Sequence, residues 1–170
     1  MGTLESIAQP RLDEIDRRIL DLLQANARMS NAAVAREVGL TPPATLERTR
    51  RLEAAGIIRG YHADIDASAL GFGVTVYAHV GLHSQAETDL VAFEALINSW
   101  AEVRECHMLA GLTDFLLKIV AVDWDAYQRF LTSRLTAAPN VSVVKSALAI
   151  RSSTHRPGVP IDTDEPAPPR

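Results

Sequence analysis

Arg48, Arg50, Arg51 and Arg59 stand close together and carry the most pointed chemistry of this sequence. A guanidinium grips a phosphate as a fork, or guanine O6 and N7 as a bidentate pair. Upstream, Ser30, Asn31, Thr41 and Thr45 offer small polar groups near two helix starts, where backbone N–H groups also attract anions. Ala44 and Glu47 share the outward side with Arg48 and Arg51, Pro43 and Arg50 flank it, and Arg59 falls where the next segment would meet a nucleic-acid backbone. Small residues at the start of a helix with arginines further along suit a DNA major groove. The alternative for the same arginines is a solvated face paired with Glu47 and Glu53.

Short helices must position these groups. Thr41 can cap the arginine-bearing helix, Pro42 and Pro43 suit its first turn, and Gly56 ends it. Leu46, Thr49 and Leu52 recur every three residues and predict its inward stripe. Before it, residues 12–25 read as an amphipathic helix, with Leu12, Ile15, Ile19, Leu22 and Leu23 on one side. Ser30 caps a second helix with Val34 and Val38 inward. Residues 57–65 alternate enough to predict a strand pair, so the expectation is a winged helix-turn-helix over residues 11–63.

Residues 64–73 are turn-like and predict a hinge. Beyond it, Val74, Val76, Ala78, Val80 and Leu82 alternate with Thr75, Tyr77, His79 and Gly81, a half-buried strand. A helical period through Leu90, Phe93, Leu96 and Ile97 follows. Two strands then flank a turn at Gly111, a helix carries Trp124, Tyr127, Leu131 and Leu135, and residues 141–151 form a last strand. The order βαββαβ over residues 74–152 is that of a ferredoxin-like sandwich, so the fold class expected is α+β. Residues 1–10 are expected to be flexible, and the proline-rich residues 153–170 to form a disordered tail.

The formal net charge of −4 over 170 residues looks wrong for a nucleic-acid binder until it is divided. Residues 1–60 hold nine Arg against eight acidic groups, a net +1, and the remainder carries −5. Local charge on the binding face governs attraction to phosphates, so a DNA module on an acidic partner domain fits. There is no long apolar run to span a membrane, and the first residues do not read as a signal peptide. A single cysteine, Cys106, excludes an internal disulfide and fits a reducing cytoplasm.

Within this frame, LDEIDRRILDLLQANARMSNAAVAREVGLTPPATLERTRRLEAAGIIRGY resembles the N-terminal half of the Lrp/AsnC (leucine-responsive, feast/famine) regulators. ECHMLAGLTDFLLK resembles the signature of that family's ligand-sensing second domain, and the likeness spans roughly residues 11–152. It implies a transcription factor bound to double-stranded DNA. It further implies dimers formed through the second domain, octamers or similar assemblies of dimers, and an amino-acid effector held between dimers. No other cofactor is implied. The runner-up is a tetrapyrrole-modifying enzyme similar to the sirohaem decarboxylases, which share this scaffold; the arginines of the third helix and the acidic second domain speak against it.

The resemblance also makes Leu109, Ala110, Gly111, Leu112, Thr113 and Asp114 the effector loop. Backbone N–H groups around Gly111 would hold the carboxylate and Asp114 the ammonium. Read without it, the same loop is a plain hairpin in which Gly111 supplies a positive φ and Asp114 caps backbone. The family often shows Gly-Asp-aromatic-Asp here, so one acidic group is missing. With Met108, Trp124, Ala147 and Ala149 expected to line a roomy apolar pocket, this favours a neutral amino acid. The other departure is tolerable. Thr49 replaces an aliphatic residue but can back-bond to the Thr45 carbonyl. Cys106 and His107 point to opposite faces of a strand, so no metal site is expected. Asp123 and Asp125 read as N-terminal helix charges, and no nucleophile–base constellation is present.

Overall fold

The computed structural model describes residues 11–162. The chain forms two compact units: one runs up to Asp64 and resumes at His155, the other is Ile65–Thr154. The flexible terminus expected over residues 1–10, and residues 163–170 of the tail, lie outside the described residues.

Three helices build the first unit: α1 (Glu14–Ala25), α2 (Asn31–Val38) and α3 (Pro42–Ala54). Each has a local reason to start. At α1, Asp13 Oδ1 accepts from Asp16 N at 2.8 Å while Asp16 Oδ2 accepts from Asp13 N at 3.3 Å, a reciprocal capping box. At α2, Ser30 Oγ accepts from Ala33 N, and Gly39 stops the helix in the left-handed region at φ 69°. Thr41 occupies the cap position of α3, but its side chain makes no capping bond, contrary to expectation. Pro42 and Pro43 leave no N–H at the first two helical positions, so fewer donors there need a cap.

The core of this unit is Ile19, Val34 and Leu52, walled by Leu12, Ile15, Leu20, Leu22, Leu23, Met29, Val38, Ile57 and Ile58. At about 1.5–3 kcal/mol per fully buried aliphatic side chain, it is a small core with little to spare. The inward stripe of α3 is Thr45 and Leu52, not the expected Leu46–Thr49–Leu52. Thr45 is fully buried and Leu46 is exposed. Thr45 Oγ1 donates to the Thr41 carbonyl at 3.1 Å and Thr49 Oγ1 to the Thr45 carbonyl at 3.0 Å, so both hydroxyls tolerate a dry environment. The expected wing is absent: residues 57–65 form no strand. Ile57 and Ile58 turn back onto the helical core instead of pairing.

The second unit is β1 (Val74–Leu82), α4 (Glu87–Asn98), β2 (Val103–Met108), β3 (Phe115–Ala121), α5 (Trp124–Phe130, continued by a π turn at Leu131–Leu135) and β4 (Val141–Leu148). Strand order is β2-β3-β1-β4, with every pair antiparallel. This is the ferredoxin-like α+β arrangement. Register explains its single core. Val76 faces Ile119, Ala78 faces Leu117 and Val80 faces Phe115, so one face of the sheet is continuously apolar. Phe93 and Ile97 of α4 and Tyr127, Phe130 and Leu135 pack on that face. The opposite face carries Tyr77, His79, Leu116, Lys118, Lys145 and Ala147, and no element of the unit covers it.

Candidate functional site

The arginines expected to act alike do different things. Arg48 reaches back to α1, its guanidinium 2.6 Å from Asp13 Oδ2 and 2.8 Å from Asp16 Oδ1. Arg51 places one nitrogen 2.6 Å from Asp16 Oδ2. Asp16, 35 and 32 residues away from them along the chain, is almost wholly buried, with 1% of its side chain exposed. A buried carboxylate is tolerable only when charged donors surround it, and these arginines are those donors. Neither arginine pairs with Glu47 or Glu53, and the Glu53 carboxylate accepts from the Tyr61 hydroxyl at 2.9 Å. Burial and that hydrogen bond push the Tyr61 pKa up to about 12.

Arg48 is therefore an internal strut between α1 and α3, with only 27% of its side chain exposed. Its hydrogen bonds to Asp13 and Asp16 hold its pKa above the ordinary value. Arg51 differs, because 59% of its side chain remains exposed beyond the one nitrogen that Asp16 holds. Arg50 and Arg59 are exposed and carry no ion pair among the described residues, and Pro43, Glu47, Thr41 and Ser30 are exposed beside them.

Of the expected phosphate anchors, one is excluded by its packing and another is partly engaged. Thr45 is in the core. The Asn31 side-chain amide donates to the Pro42 carbonyl at 2.7 Å, which fixes the turn between α2 and α3. Leu46, in contrast, lines a shallow apolar groove with Leu23, Met29, Val34, Thr49 and Tyr61.

In the second unit, the segment between β2 and β3 presents Ala110, Gly111 and Leu112 to solvent, with Leu112 fully exposed. Gly111 is not among the glycines with positive φ, so the hairpin reading does not account for it. Asp114 does cap backbone: its Oδ2 accepts from Leu82 N at 2.6 Å, where the β1–β4 register shifts and leaves that N–H outside the ladder. Asp114 N donates to the Val80 carbonyl and Leu109 N to the Asp114 carbonyl, so both ends of the loop are pinned. Thr113 is buried, with its hydroxyl 3.3 Å from His79 Nδ1.

The expected pocket does not assemble within one chain. Ala147 pairs with Tyr77 on the uncovered face of the sheet, and Ala149 continues that strand beside Thr75. Met108 pairs with Phe115 on the helix-covered face, and Trp124 stacks near Tyr127 in the helical layer. The loop and these four residues thus occupy different faces. Side-chain alternation along each strand separates them, a consequence that residue types alone do not display.

The bland readings are resolved individually. Asp123 Oδ1 accepts from Ala126 N at 2.7 Å and caps α5. Among the described residues, no group of three or more His, Cys, Asp or Glu side chains could hold a metal ion. Among the described residues, no helix is long and apolar enough to cross a membrane. Cys106 packs toward the helix-covered face, where burial and the nearby Glu94 charge raise its thiol pKa to about 11. At pH 8 only about one thiol in a thousand is then ionised, so alkylation by iodoacetamide is expected to run at least tenfold slower than for an unfolded peptide. Equal rates would contradict that burial.

Comparison with known proteins fits this geometry unit by unit. Residues 12–53 match the AsnC-type helix-turn-helix domain, and residues 75–159 match the Lrp/AsnC ligand binding domain. The chain belongs to the Lrp/AsnC family. It is 43% identical over 145 residues to the leucine-responsive regulatory protein of Rhizobium meliloti, covering 85% of this chain and 93% of the relative. It is 39% identical over 150 residues to the Bkd operon transcriptional regulator of Pseudomonas aeruginosa, covering 88% and 98%. Among solved structures, a transcriptional regulator of Neisseria meningitidis in complex with L-Met superposes with a TM-score of 0.83 at 30% identity, covering 89% of this chain and 97% of that one. As a member of this family the chain is a DNA-binding transcriptional regulator with an amino-acid-binding domain, and not an enzyme.

Proposed function

We propose that this Lrp/AsnC regulator controls genes of amino-acid metabolism from the cytoplasm and responds to a neutral amino acid. The observation that carries the DNA half is the outward side of α3, where Arg50 and most of the Arg51 side chain face solvent on a helix that also exposes Pro43 and Glu47, with Arg59 exposed in the segment that follows. Arg48 supports that surface from behind. Exposed Ser30 and Thr41 are the remaining phosphate anchors. The effector half draws support from the pinned, exposed loop and from the relative crystallised with L-Met.

In this reading the N–H groups of Ala110–Leu112 receive the effector carboxylate. Asp114 offers Oδ1 to the ammonium, since Oδ2 is already taken by Leu82 N. The loop needs further walls, because Met108, Trp124, Ala147 and Ala149 do not converge within one chain. A second copy would supply them. The uncovered sheet face, with Tyr77 and Val143 exposed, suits association of two chains into a dimer, and dimers into an octamer or another closed assembly.

A fluorescence titration of the full-length protein against duplex DNA from its own upstream region tests the first half. Binding should weaken steeply between low and physiological salt, and salt-independent binding would refute it. Thermal shift across the twenty amino acids tests the second half. The variant Asp114→Asn keeps an acceptor for Leu82 N but removes the charge, so a neutral amino acid that stabilises the wild type should stabilise this variant at least tenfold less tightly. An unchanged shift would take Asp114 out of the site.

A further inference from the structure

The segment after the sensing unit is not spare chain. His155 onward belongs to the same compact unit as α1–α3, so the chain crosses between units twice, at Asp64–Ile65 and at Thr154–His155. The two crossings are side by side, with His155 Nε2 3.9 Å from Asp64 Oδ1. Residues 155–162 form neither helix nor strand, yet they are held at one defined point. Gln24, at the end of α1, uses both ends of its amide on a single residue. Val159 N donates to Gln24 Oε1 at 2.9 Å, and Gln24 Nε2 donates to the Val159 carbonyl at 2.7 Å. The Asp162 carbonyl lies 3.4 Å from an Arg17 nitrogen, seven residues earlier on the same helix.

Local chemistry prepares this contact. Pro157 and Pro160 flank it and restrict the chain before it docks, which lowers the entropy lost on ordering. Between them Gly158 turns at φ 85°, a region side chains rarely adopt, and a methyl group there would overlap the Gln24 amide. Glycine is required at 158 twice over, once for the turn and once for the approach.

We propose that residues 155–162 form a C-terminal strap, latched on Gln24, that gives the DNA-binding unit a second tether. With a single connection at residues 64–65 the helix-turn-helix unit would swing on one tether. The strap adds a second, reached from the strand β4 through residues 149–154, and attaches it to the helix whose first turn also holds Arg48 and Arg51. A displacement at the end of β4 then has a covalent and hydrogen-bonded route to α1. The partner recognised by this face of α1 is the chain's own extended backbone.

Hydrogen exchange by mass spectrometry on the full-length protein reads the latch, and an exposed label on α2 reads the restraint. For the label, Arg36→Cys is introduced on a Cys106→Ser background and its wobble followed by time-resolved anisotropy. Gly158→Ala and Gln24→Ala both alter exposed positions and leave the cores intact; Arg18→Ala on the same helix is the control. Peptides covering residues 155–162 should exchange about tenfold faster in either variant, the factor that two ordinary hydrogen bonds carry, with no further gain in the double variant. The label should wobble through a wider angle in both variants and not in the control. A wild-type tail that exchanges like a free peptide would overturn the latch, as would rates untouched by both substitutions. Faster exchange with unchanged wobble would overturn the restraint. Neither readout involves DNA or an amino acid, so the failure of this inference and the failure of the functional reading above are separate results.

Discussion

Alanine at Arg50, Arg51 and Arg59 together is expected to weaken duplex binding by about a hundredfold near physiological salt. The slope of log affinity against log salt should fall by about three, roughly one for each phosphate-reaching cation removed. The sites are chosen by what the fold leaves available. Arg50 and Arg59 are exposed without ion pairs among the described residues, and Arg51 is held at one nitrogen while most of its side chain faces solvent. Arg48 is the counter-test. Its guanidinium already faces two carboxylates, and pulling it toward a phosphate would leave Asp16 with one partner fewer in a site closed to water. Arg48→Ala should therefore lower the melting temperature of the first unit and leave the salt slope nearly unchanged. Isothermal salt titrations of the triple and single variants decide the matter. A slope that drops with Arg48→Ala and holds in the triple variant would reverse the assignment. The local arrangement also shows why a chain of net charge −4 can bind a polyanion: the excess of acid lies after residue 60.

What could be read in advance depended on how far each interaction reaches along the chain. The βαββαβ order was legible because alternation in β1 and β3 and the 3.6-residue period in α4 are local patterns, and the inward face of Val76, Ala78 and Val80 followed from them. The cap at Ser30 and the place of Asp123 at a helix start were legible for the same reason. Thr45 was misplaced because a hydroxyl counts as polar in a pattern, whereas one bonded to the carbonyl four residues back can be buried like a small aliphatic group. The wing was misread because alternation needs a partner strand, and Ile57 and Ile58 found the helical core first. The role of Arg48 was out of reach: its partners lie more than thirty residues away, and nothing in the spacing distinguishes a strut from a phosphate hook. Between β2 and β3 the exposed turn was legible, and the placing of Met108, Trp124, Ala147 and Ala149 was not. The supposed pocket walls divide between two faces of a sheet, which only strand pairing decides.

Asp16→Ala is the second large effect, and it should appear as instability of the first unit. The carboxylate is buried, accepts from Arg48, Arg51 and the Asp13 backbone, and closes the capping box of α1. Deleting one partner of a buried ion pair costs about 3–5 kcal/mol, but here both arginines can relax toward water, so about 2–3 kcal/mol is the reasoned figure. For a unit of this size that lowers its melting temperature by about 10 °C or more, while the second unit melts as before. Scanning calorimetry of the full-length protein should show one transition moving and one staying; coincident melting of mutant and wild type would deny Asp16 its role. Acid should mimic the substitution in part. Burial raises the Asp13 pKa, yet the hydrogen bonds from Arg48 and Asp16 N, with the Arg48 charge, outweigh it and leave the group below its ordinary 3.8. A depressed carboxylate stabilises the fold above its unfolded pKa and loses that contribution as pH falls through the folded value, so the loss belongs below about pH 4. Asp13→Asn should flatten that acid limb without shifting the rest of the profile. Below its own melting temperature, Asp16→Ala still presents Arg50, Arg51 and Arg59, so its salt slope on DNA should stay near that of the wild type. A stable first unit that has lost its slope would instead mark Asp16 as the residue that aims Arg51.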